Sequence, residues 1–222
     1  MNGIDNWKYP RTYHLPFSPG LTNDDRKVEE GWETLLNETI VITEKLDGEG
    51  NSLSNQDVYA RSHGAPTRSP WSRNLWDVGG VHSQIKRFLA DDEMIFGENL
   101  YGIHSIEYNK LTDYYHLFAV RNEKEWYSWD EVKEMASIMG IPHVPELEIR
   151  KFNSVDELKE RILYWMSQGS RYGDTIEGIV VRNINSFPLE DFSKNVVKYV
   201  RPHHVQTDQF WAKNWKKASI NF

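Results

Sequence analysis

Short runs of β-branched and aromatic residues recur along the chain, and they constrain its fold more than any other feature. Each run is bounded by charged or turn-forming residues, which is the pattern of a β-strand. Strands dominate and helical segments are interspersed among them, so we expect an α+β fold built on antiparallel sheets. Glu44–Asn51, between the first two runs, is charged and turn-rich, and we expect a turn there. The predicted strands are Thr39–Thr43, Asp57–Arg61, Met94–Glu98, Tyr115–Arg121, Ile176–Arg182 and Val196–Val200.

Two capping boxes mark helix starts, because a serine followed three residues later by glutamate can satisfy two free amides of a first helical turn. The other predicted helices are less sharply marked, and one of them falls in a basic C-terminal segment, residues 203–222. Residues 1–36, rich in proline and aromatic residues over Trp7–Thr22, predict an extended N-terminal arm. We expect all 222 residues to form one domain. The predicted helices run from Ser128 towards Gly140, from Ser154 towards Gln168, and over Val81–Ala90 and Asp208–Lys217.

The chain contains no cysteine, which excludes a disulfide framework, a cysteine zinc finger, an iron–sulfur cluster and a cysteine nucleophile. No stretch approaches the roughly 18 uncharged apolar residues of a membrane span. Met1–Pro10 lacks the apolar core of a signal peptide. We therefore expect an intracellular, cytoplasmic protein with no membrane partner, acting as a monomer.

Charge is unevenly distributed along this acidic chain of net charge −7. Two segments are basic: Arg61–Arg87 and Lys194–Phe222. Basic islands on an acidic body are typical of a protein that holds an anionic ligand locally, although charge clustering on a surface gives the same pattern. The residues that we expect to contact such a polyanion are Arg61, Arg68, Arg73, Lys213, Lys216 and Lys217.

Lys45 in the string Lys-Leu-Asp-Gly ends a predicted strand, where its amine can face a pocket. A lysine nucleophile must be neutral, and its reference pKa is about 10.4. Neighbouring cations and burial lower that pKa, whereas Glu44 and Asp47 would oppose the shift if they faced the amine. Two further charged residues, Glu177 and Lys198, lie in or beside apolar strands, where a charge is costly unless it is paired or liganded.

Six strings occur in the same order as motifs I, Ia, III, IIIa, IV and V of the covalent nucleotidyltransferases, the superfamily of polynucleotide ligases and mRNA capping enzymes, and they resemble those motifs. The similarity is strongest to short RNA ligases, through KYPRT.HLP (Lys8–Pro16), GENLY..HSI.Y (Gly97–Tyr108) and KYVR..HVQTD.FW (Lys198–Trp211). His104 and Tyr108 fall within these strings without an assigned role. The six strings are KLDG, ARSHG, FGENLYG, HLFAVR, EGIVV and VVKYVR.

The resemblance implies an ATP-grasp-like adenylylation domain that acts as an ATP-dependent RNA ligase. In such an enzyme Lys45 would attack the α-phosphorus of ATP and form a lysyl–AMP, while Lys198 would bind the α-phosphate. Glu98 would hold the ribose hydroxyls and Phe118 would stack on adenine. Glu177 would hold the catalytic Mg²⁺. Arg61 would contact the incoming 5′-phosphate or the nucleotide, and Glu44, Asp47 and Arg201 complete the implied nucleotide-binding set.

Two departures from the family pattern bear on this reading. The second basic residue of motif V is replaced by Val200, which leaves Arg201 or Lys194 as the substitute. Only 24 residues follow Lys198, too few for the OB-fold that continues most DNA ligases and capping enzymes, so we expect no OB-fold. Two alternatives remain: a non-catalytic RNA-binding or sensing module that keeps the fold, and a capping-type guanylyltransferase.

Overall fold

Two sheets face each other across a cleft in the computed structural model, which describes residues 8–22, 25–61, 64–202 and 214–221. Sheet A has the strand order β1-β11-β9-β2-β8, and only its β1–β11 pair is parallel. Its strands are β1 (Tyr13–His14), β2 (Thr39–Lys45), β8 (Glu146–Lys151), β9 (Gly178–Asn183) and β11 (Val196–Val200).

Sheet B is antiparallel throughout, with the strand order β10-β7-β6-β5-β3-β4. Neither sheet closes into a barrel within the described residues, and the α+β class built on antiparallel sheets is confirmed. The strands of sheet B are β3 (Glu49–Leu53), β4 (Val58–Ala60), β5 (Met94–Asn99), β6 (Tyr115–Arg121), β7 (Glu125–Trp126) and β10 (Phe187–Pro188).

Helices are short and lie on the outer faces or in connections. In the part of the chain that the structure describes, none is long and apolar enough to cross a membrane. The α-helices are α1 (Arg73–Trp76), α2 (Trp129–Met139), α3 (Val155–Ser167) and α4 (Phe192–Asn195), and single 3-10 turns cover Trp32–Asn37, Pro70–Ser72, Ile85–Phe88 and Leu189–Asp191.

The two capped helices form where the serine signals predict them. Ser128 and Glu131 make both halves of a capping box at the start of α2. Ser154 accepts from the Glu157 amide at 3.1 Å, but the Glu157 carboxylate bonds the Asn153 amide at 2.9 Å, so only half of the second box is made.

One predicted helix is wrong, because only Ile85–Phe88 of Val81–Ala90 is helical, as a 3-10 turn. The predicted C-terminal helix, Asp208–Lys217, lies largely outside the described residues. The part of the C-terminal segment that the structure describes, 214–221, contains no helix. The backbone of this part bonds to the loop after β5, because the Ile103 amide donates to the Lys216 carbonyl at 2.8 Å.

Strand alternation decides which side chains of sheet A face the cleft, because successive residues point to opposite faces. Ile40, Ile42, Val181 and Val197 pack outward in one core with α3 and the Trp32–Asn37 turn. A second core joins sheet B to α2. A third, smaller cluster closes one end of the cleft itself.

The N-terminal arm follows the edge of sheet A. Leu15 and Gly20 donate their amides to the carbonyls of Lys198 and Val200, at 2.8 and 3.0 Å. The approach at Gly20 is close: a Cβ there would lie 2.2 Å from the Arg201 carbonyl oxygen. Glycine is therefore required at this position for the arm to dock on β11.

Substituting Gly20→Ala should detach this part of the arm and cost about 1–3 kcal/mol of stability, the usual range for overpacking. Thermal unfolding combined with limited proteolysis followed by mass spectrometry would measure it, with new cleavage expected in the arm. Gly79→Ala is the matched control, because nothing lies within 4 Å of a Cβ there. Equal melting temperatures and cleavage patterns for the two variants would contradict the prediction.

Candidate active site

A cleft of about 530 Å³ lies between the inner faces of sheets A and B. One end is charged and is built where several strands begin or end. The other end is aromatic. The charged side chains that line the cleft are Asp25, Glu44, Lys45, Asp47, Arg61, Glu98, His104, Glu177, Arg182 and Lys198.

The Lys45 ammonium is bound by the Glu177 carboxylate, with Nζ 2.8 and 2.7 Å from its two oxygens. The pairing follows from register, because Lys45 at the end of β2 lies opposite Gly178, the residue after Glu177. Burial acts to lower the pKa of Lys45, but the charges of Glu177 and Glu98 outweigh it and raise the pKa above its usual value. For the Glu177 carboxyl, burial raises the pKa, and the positive charge of Lys45 only partly opposes this effect. In this state the lysine holds its proton.

Glu98 is another carboxylate of the charged end whose pKa is displaced. It lies on β5, with Oε1 accepting from the Gly48 amide at 3.0 Å. Burial raises the pKa of Glu98 to about 7, and Lys45 only partly offsets this effect. Glu98 therefore titrates near neutral pH.

Lys198 on β11 faces the same end of the cleft. Its Nζ lies 3.0 Å from Oδ1 of Asp25, which comes from the arm. Burial lowers the pKa of Lys198, and Asp25 only partly opposes that effect. Arg61, after β4, is exposed at the cleft. Lys45, Lys198 and Arg61 thus bring three cationic groups to one region.

Asp47 is engaged inside the protein. Its carboxylate accepts from the amides of Ser105 and Ile106, at 2.8 and 2.6 Å, and lies 3.1 Å from Nδ1 of His104. Its own amide donates to the hydroxyl of Tyr108 at 2.8 Å. Burial would raise the pKa of Asp47, but the contact with His104 lowers it overall. The HSI.Y string therefore fixes the turn that follows Lys45.

Glu44 borders the cleft, but its carboxylate bonds elsewhere. It accepts from the Ser170 hydroxyl and, at 2.9 Å, from the Arg171 amide. Burial raises the pKa of Glu44. The carboxylate thus anchors the loop before β9 and does not face the Lys45 amine, since the two side chains alternate along β2.

The other end of the cleft is a platform of rings. Phe118 on β6 lines it, and Tyr9 of the arm meets Phe118 edge-on with 5.0 Å between ring centroids. Tyr9 also contacts Phe96 and Trp126 at 5.2 and 5.4 Å. Arg182 from β9 borders this end, and burial lowers its pKa to about 10. A flat apolar group of a ligand suits this surface.

Several predicted contacts lie outside the cleft lining. Arg68 and Arg73 bind aspartates, Asp57 at 2.8 Å and Asp77 at 2.6 Å. Arg201 directly follows β11, and its amide donates to the Glu177 carbonyl at 3.0 Å.

Of the three lysines predicted to contact RNA in the C-terminal segment, two lie within the described residues and one lies outside them. Lys216 is exposed. The Lys217 ammonium lies above the rings of Tyr101 and Tyr114, 5.1 and 5.5 Å from their centroids. Lys213 lies outside the described residues.

No cluster of three or more histidine or carboxylate side chains suited to a metal ion occurs among the described residues. Glu177 lies next to Glu98 in the cleft. One or two carboxylates suit Mg²⁺ that keeps several waters and also binds substrate phosphates, but they do not suit a closed protein cage. The donor set fits a metal that enters with a phosphate ligand.

Comparison with known proteins decides the family. A model described as RNA ligase matches residues 38–200, most of the chain and all of the motif region from β2 to β11. The chain belongs to the RNA ligase family. No curated protein sequence matches it.

Solved structures share the fold at low sequence identity. An RNA ligase of Naegleria gruberi with pyrophosphate superposes with a TM-score of 0.60 at 17% identity, over 87% of this chain and 57% of that one. An archaeal ATP-dependent RNA ligase gives 0.53 at 14% identity, over 87% and 48%. A putative ATP-dependent DNA ligase from Aquifex aeolicus gives 0.52 at 18% identity, over 88% and 50%. This RNA ligase chain thus spans about half to three-fifths of these proteins.

The structure adds residues that the sequence analysis did not assign to the site. Asp25 and Tyr9 come from the arm, for which we predicted only an extended conformation. His104 and Arg182 are the others. Tyr9 lies in the KYPRT.HLP string and His104 in the HSI.Y string, which were part of the family resemblance but carried no chemical role by themselves. Asp25 and Arg182 lie in neither string.

Glu98 generates a prediction about stability. The unfolded chain loses this proton near pH 4.3 and the folded one near pH 7, so stability falls as pH rises through that window. Glu98→Gln should therefore stabilise the fold at pH 8 by about 1–3 kcal/mol, and the gain should shrink towards pH 5. Denaturant unfolding at both pH values measures the difference.

Glu107→Gln, an exposed carboxylate close in sequence, is the control and should change stability by less than about 0.5 kcal/mol. A Glu98→Gln gain that is the same at both pH values, or a loss at pH 8, would refute a buried carboxylate titrating near neutrality.

Proposed function

We propose that this protein is an ATP-dependent RNA ligase that seals 5′-phosphate and 3′-hydroxyl ends through a lysyl–AMP intermediate. One observation carries the proposal: the Lys45 amine lies at a strand end in a cleft whose charged end also holds the cations Lys198 and Arg61 and whose far end is aromatic. That division matches a nucleotide, whose phosphates are anionic and whose base is a flat ring. Because both sheets build the cleft, we further propose that they act as one catalytic domain.

In the first step Lys45 Nζ would attack the α-phosphorus of ATP. A nitrogen–phosphorus bond forms, the bond from the α-phosphorus to the bridging oxygen breaks, and pyrophosphate leaves with the electron pair. The developing negative charge on the α-phosphate oxygens would be met by Lys198, and Arg61 would hold phosphate nearer the cleft opening. Both are cations already present in the folded protein.

The attack requires a neutral amine, and the resting contact with Glu177 holds the proton on Lys45. The charge balance around the lysine must therefore change when substrate binds. A magnesium ion held by Glu177, water and phosphate oxygens would supply the positive charge that neutralises this carboxylate. Lys198 and Arg61 lower the cost of a neutral Lys45, because like charges disfavour its protonated form.

The other wall of the cleft would bind the nucleoside. Glu98 lines the cleft and can accept from ribose hydroxyls. Phe118 would stack on adenine, with Tyr9 and Phe96 supporting the ring platform. Asp47 and Glu44 act on this site indirectly, by holding the turn after β2 and the loop before β9.

Two further steps would complete sealing. The RNA 5′-phosphate attacks the lysyl–AMP phosphorus, which releases Lys45 and leaves AMP on the RNA end. A 3′-hydroxyl then attacks the RNA 5′-phosphorus and expels AMP. RNA as the polymer is supported by family membership, and we propose nicked or broken ends as the substrate in RNA repair.

The first experiment labels the nucleophile. Incubation with ATP radiolabelled in the α-phosphate should attach AMP to the wild type, and Lys45→Ala should lose at least about 10³-fold of that labelling because no other group replaces the nucleophile. Lys151→Ala, an exposed lysine at the end of β8 in the same sheet, is the control and should label normally. Peptide mapping locates the adduct.

Each other outcome would indicate a different activity. Normal labelling of Lys45→Ala would contradict the proposed lysyl–AMP mechanism. Labelling by GTP in place of ATP would indicate a guanylyltransferase. The absence of any adduct, together with RNA binding, would indicate a binding module that keeps the fold.

A second experiment separates RNA binding from nucleotide chemistry. Lys216→Gln removes an exposed charge without disturbing its backbone contact to Ile103, whereas Lys217 also packs over two tyrosines. We expect weaker single-stranded RNA binding with a salt slope reduced by about 0.7, and unchanged adduct formation.

Binding isotherms over a range of salt concentrations measure the slope. Lys124→Gln, an exposed lysine outside both basic islands, is the control and should leave the slope unchanged. Identical slopes for Lys216→Gln and wild type would exclude this segment from the RNA surface.

A further inference from the structure

The arm supplies a carboxylate to the charged end of the cleft that no motif accounts for. Oδ1 of Asp25 lies 3.0 Å from Nζ of Lys198 and 3.1 Å from Nε2 of His14. His14 lies directly opposite Lys198 in the parallel β1–β11 register. Three side chains therefore converge from two adjacent strands and the segment that follows the first.

Asp25 is itself firmly held. Its second oxygen accepts from the Thr22 amide at 3.1 Å and from the Thr22 hydroxyl at 2.9 Å. His14 is fully buried, with Nδ1 2.8 Å from the Ser18 hydroxyl, and that oxygen accepts from the Val200 amide at 3.0 Å. The contacts thus run from Lys198 through the arm and back to β11 two residues further on.

Lys198 needs such a partner because of what else faces it. Its side chain is only 13% exposed, and Lys45 and Arg61 both repel its ammonium. Glu177, the acid at the start of the neighbouring β9, is already occupied by Lys45. Among the residues that the structure describes, Asp25 is the carboxylate that contacts the Lys198 ammonium, and this contact fixes a long, flexible side chain.

We propose that Asp25, held by His14, is a positioning residue that fixes the Lys198 ammonium for the α-phosphate of the nucleotide. The proposal rests on the proposed function, since it assigns Lys198 to phosphate. The rival interpretation is that Asp25 mimics phosphate and blocks Lys198 until the arm leaves. Positioning is favoured because Asp25 accepts three hydrogen bonds and also lies 3.1 Å from His14 Nε2. The arm is also bonded along β11 on both sides of this contact, at Leu15 and Gly20.

The test is single-turnover adenylylation of Asp25→Asn at varied ATP concentration with magnesium. A misplaced Lys198 should lower the maximal rate by about 10- to 100-fold, with the half-saturating ATP concentration unchanged or lower. Asp113→Asn is the matched control: Asp113 also pairs with a buried histidine, His82 at 2.6 Å, but lies outside the cleft lining. The control should keep the wild-type rate.

A double-mutant cycle shows whether Asp25 acts through Lys198. In a Lys198→Met background, Asp25→Asn should slow the residual reaction by less than about twofold. His14→Gln, which loosens Asp25 without touching Lys198, should give a smaller loss in the same direction. Rate losses that multiply independently in the double variant would overturn the proposal.

Two further results would also overturn it. For Asp25→Asn, a maximal rate within about twofold of wild type overturns the positioning role. A rate that rises while the half-saturating ATP concentration falls supports the rival interpretation, in which Asp25 blocks Lys198. A crystal structure of Asp25→Asn gives a readout that needs no activity: the Lys198 ammonium should leave its position, and an unmoved ammonium contradicts the proposal. Failure of the wild type to form any adduct would refute the proposed function but leave this structural test decisive.

Discussion

The register of β2, β9 and β11 is the constraint on which the site depends. Lys45 lies opposite Gly178, and Val180 lies between Thr43 and Lys198, so Lys45 and Lys198 share one face. Glu177, the residue before β9, reaches the Lys45 ammonium from the end of that strand. A slip of one residue would turn each strand over and bury Lys198 in the outer core. The apolar residues that alternate with the charged ones hold the register, because Ile42, Val181 and Val197 must reach that core.

The same arrangement concentrates charges that the protein must hold away from water. Lys45, Glu177, Glu98, Asp47 and Lys198 all lie within one cleft, and the pKa of each is displaced from its usual value. Each is paired or accepts an amide, which is how buried charges are tolerated. The pairing also sets the chemical problem of the site, because the Lys45–Glu177 contact that stabilises the resting protein protects the amine from reacting.

The sequence was most informative where local signals and tertiary contacts agree. Tyr115–Arg121 and Val196–Val200 form strands with the predicted bounds, since their apolar alternation is the same in isolation and in the sheet. β3 was missed because Glu49 and Gly50 read as a turn, and only pairing with β4 and β5 makes them extended. β8 was missed because alternating charges hide its pattern at a sheet edge.

For the site, the motifs indicated residues that lie together, but the partners of those residues were not predictable. The motif residues that line the cleft are Lys45, Arg61, Glu98, Phe118, Glu177 and Lys198, and their roles toward a nucleotide stay predictions. The contact between Lys198 and Asp25 joins positions 173 residues apart, and no periodicity reports such a distance. Glu44 and Asp47 flank the nucleophile in sequence, yet their bonds to Arg171 and Ile106 arise only from the folded loops.

The docking of the arm also bears on solubility. Without residues 13–20, β11 would be the outer strand of sheet A, and its sequence Val-Val-Lys-Tyr-Val is short, apolar and β-branched. Such an edge is a template for pairing with another molecule. The arm occupies that edge with a two-residue strand, and its own outer side is covered where His14 bonds Arg26 and Val28. At the opposite edge, the alternating charged residues Glu146, Glu148 and Arg150 on β8 discourage the same pairing. Because the arm covers β11, it protects the first edge from aggregation as well as shaping the cleft.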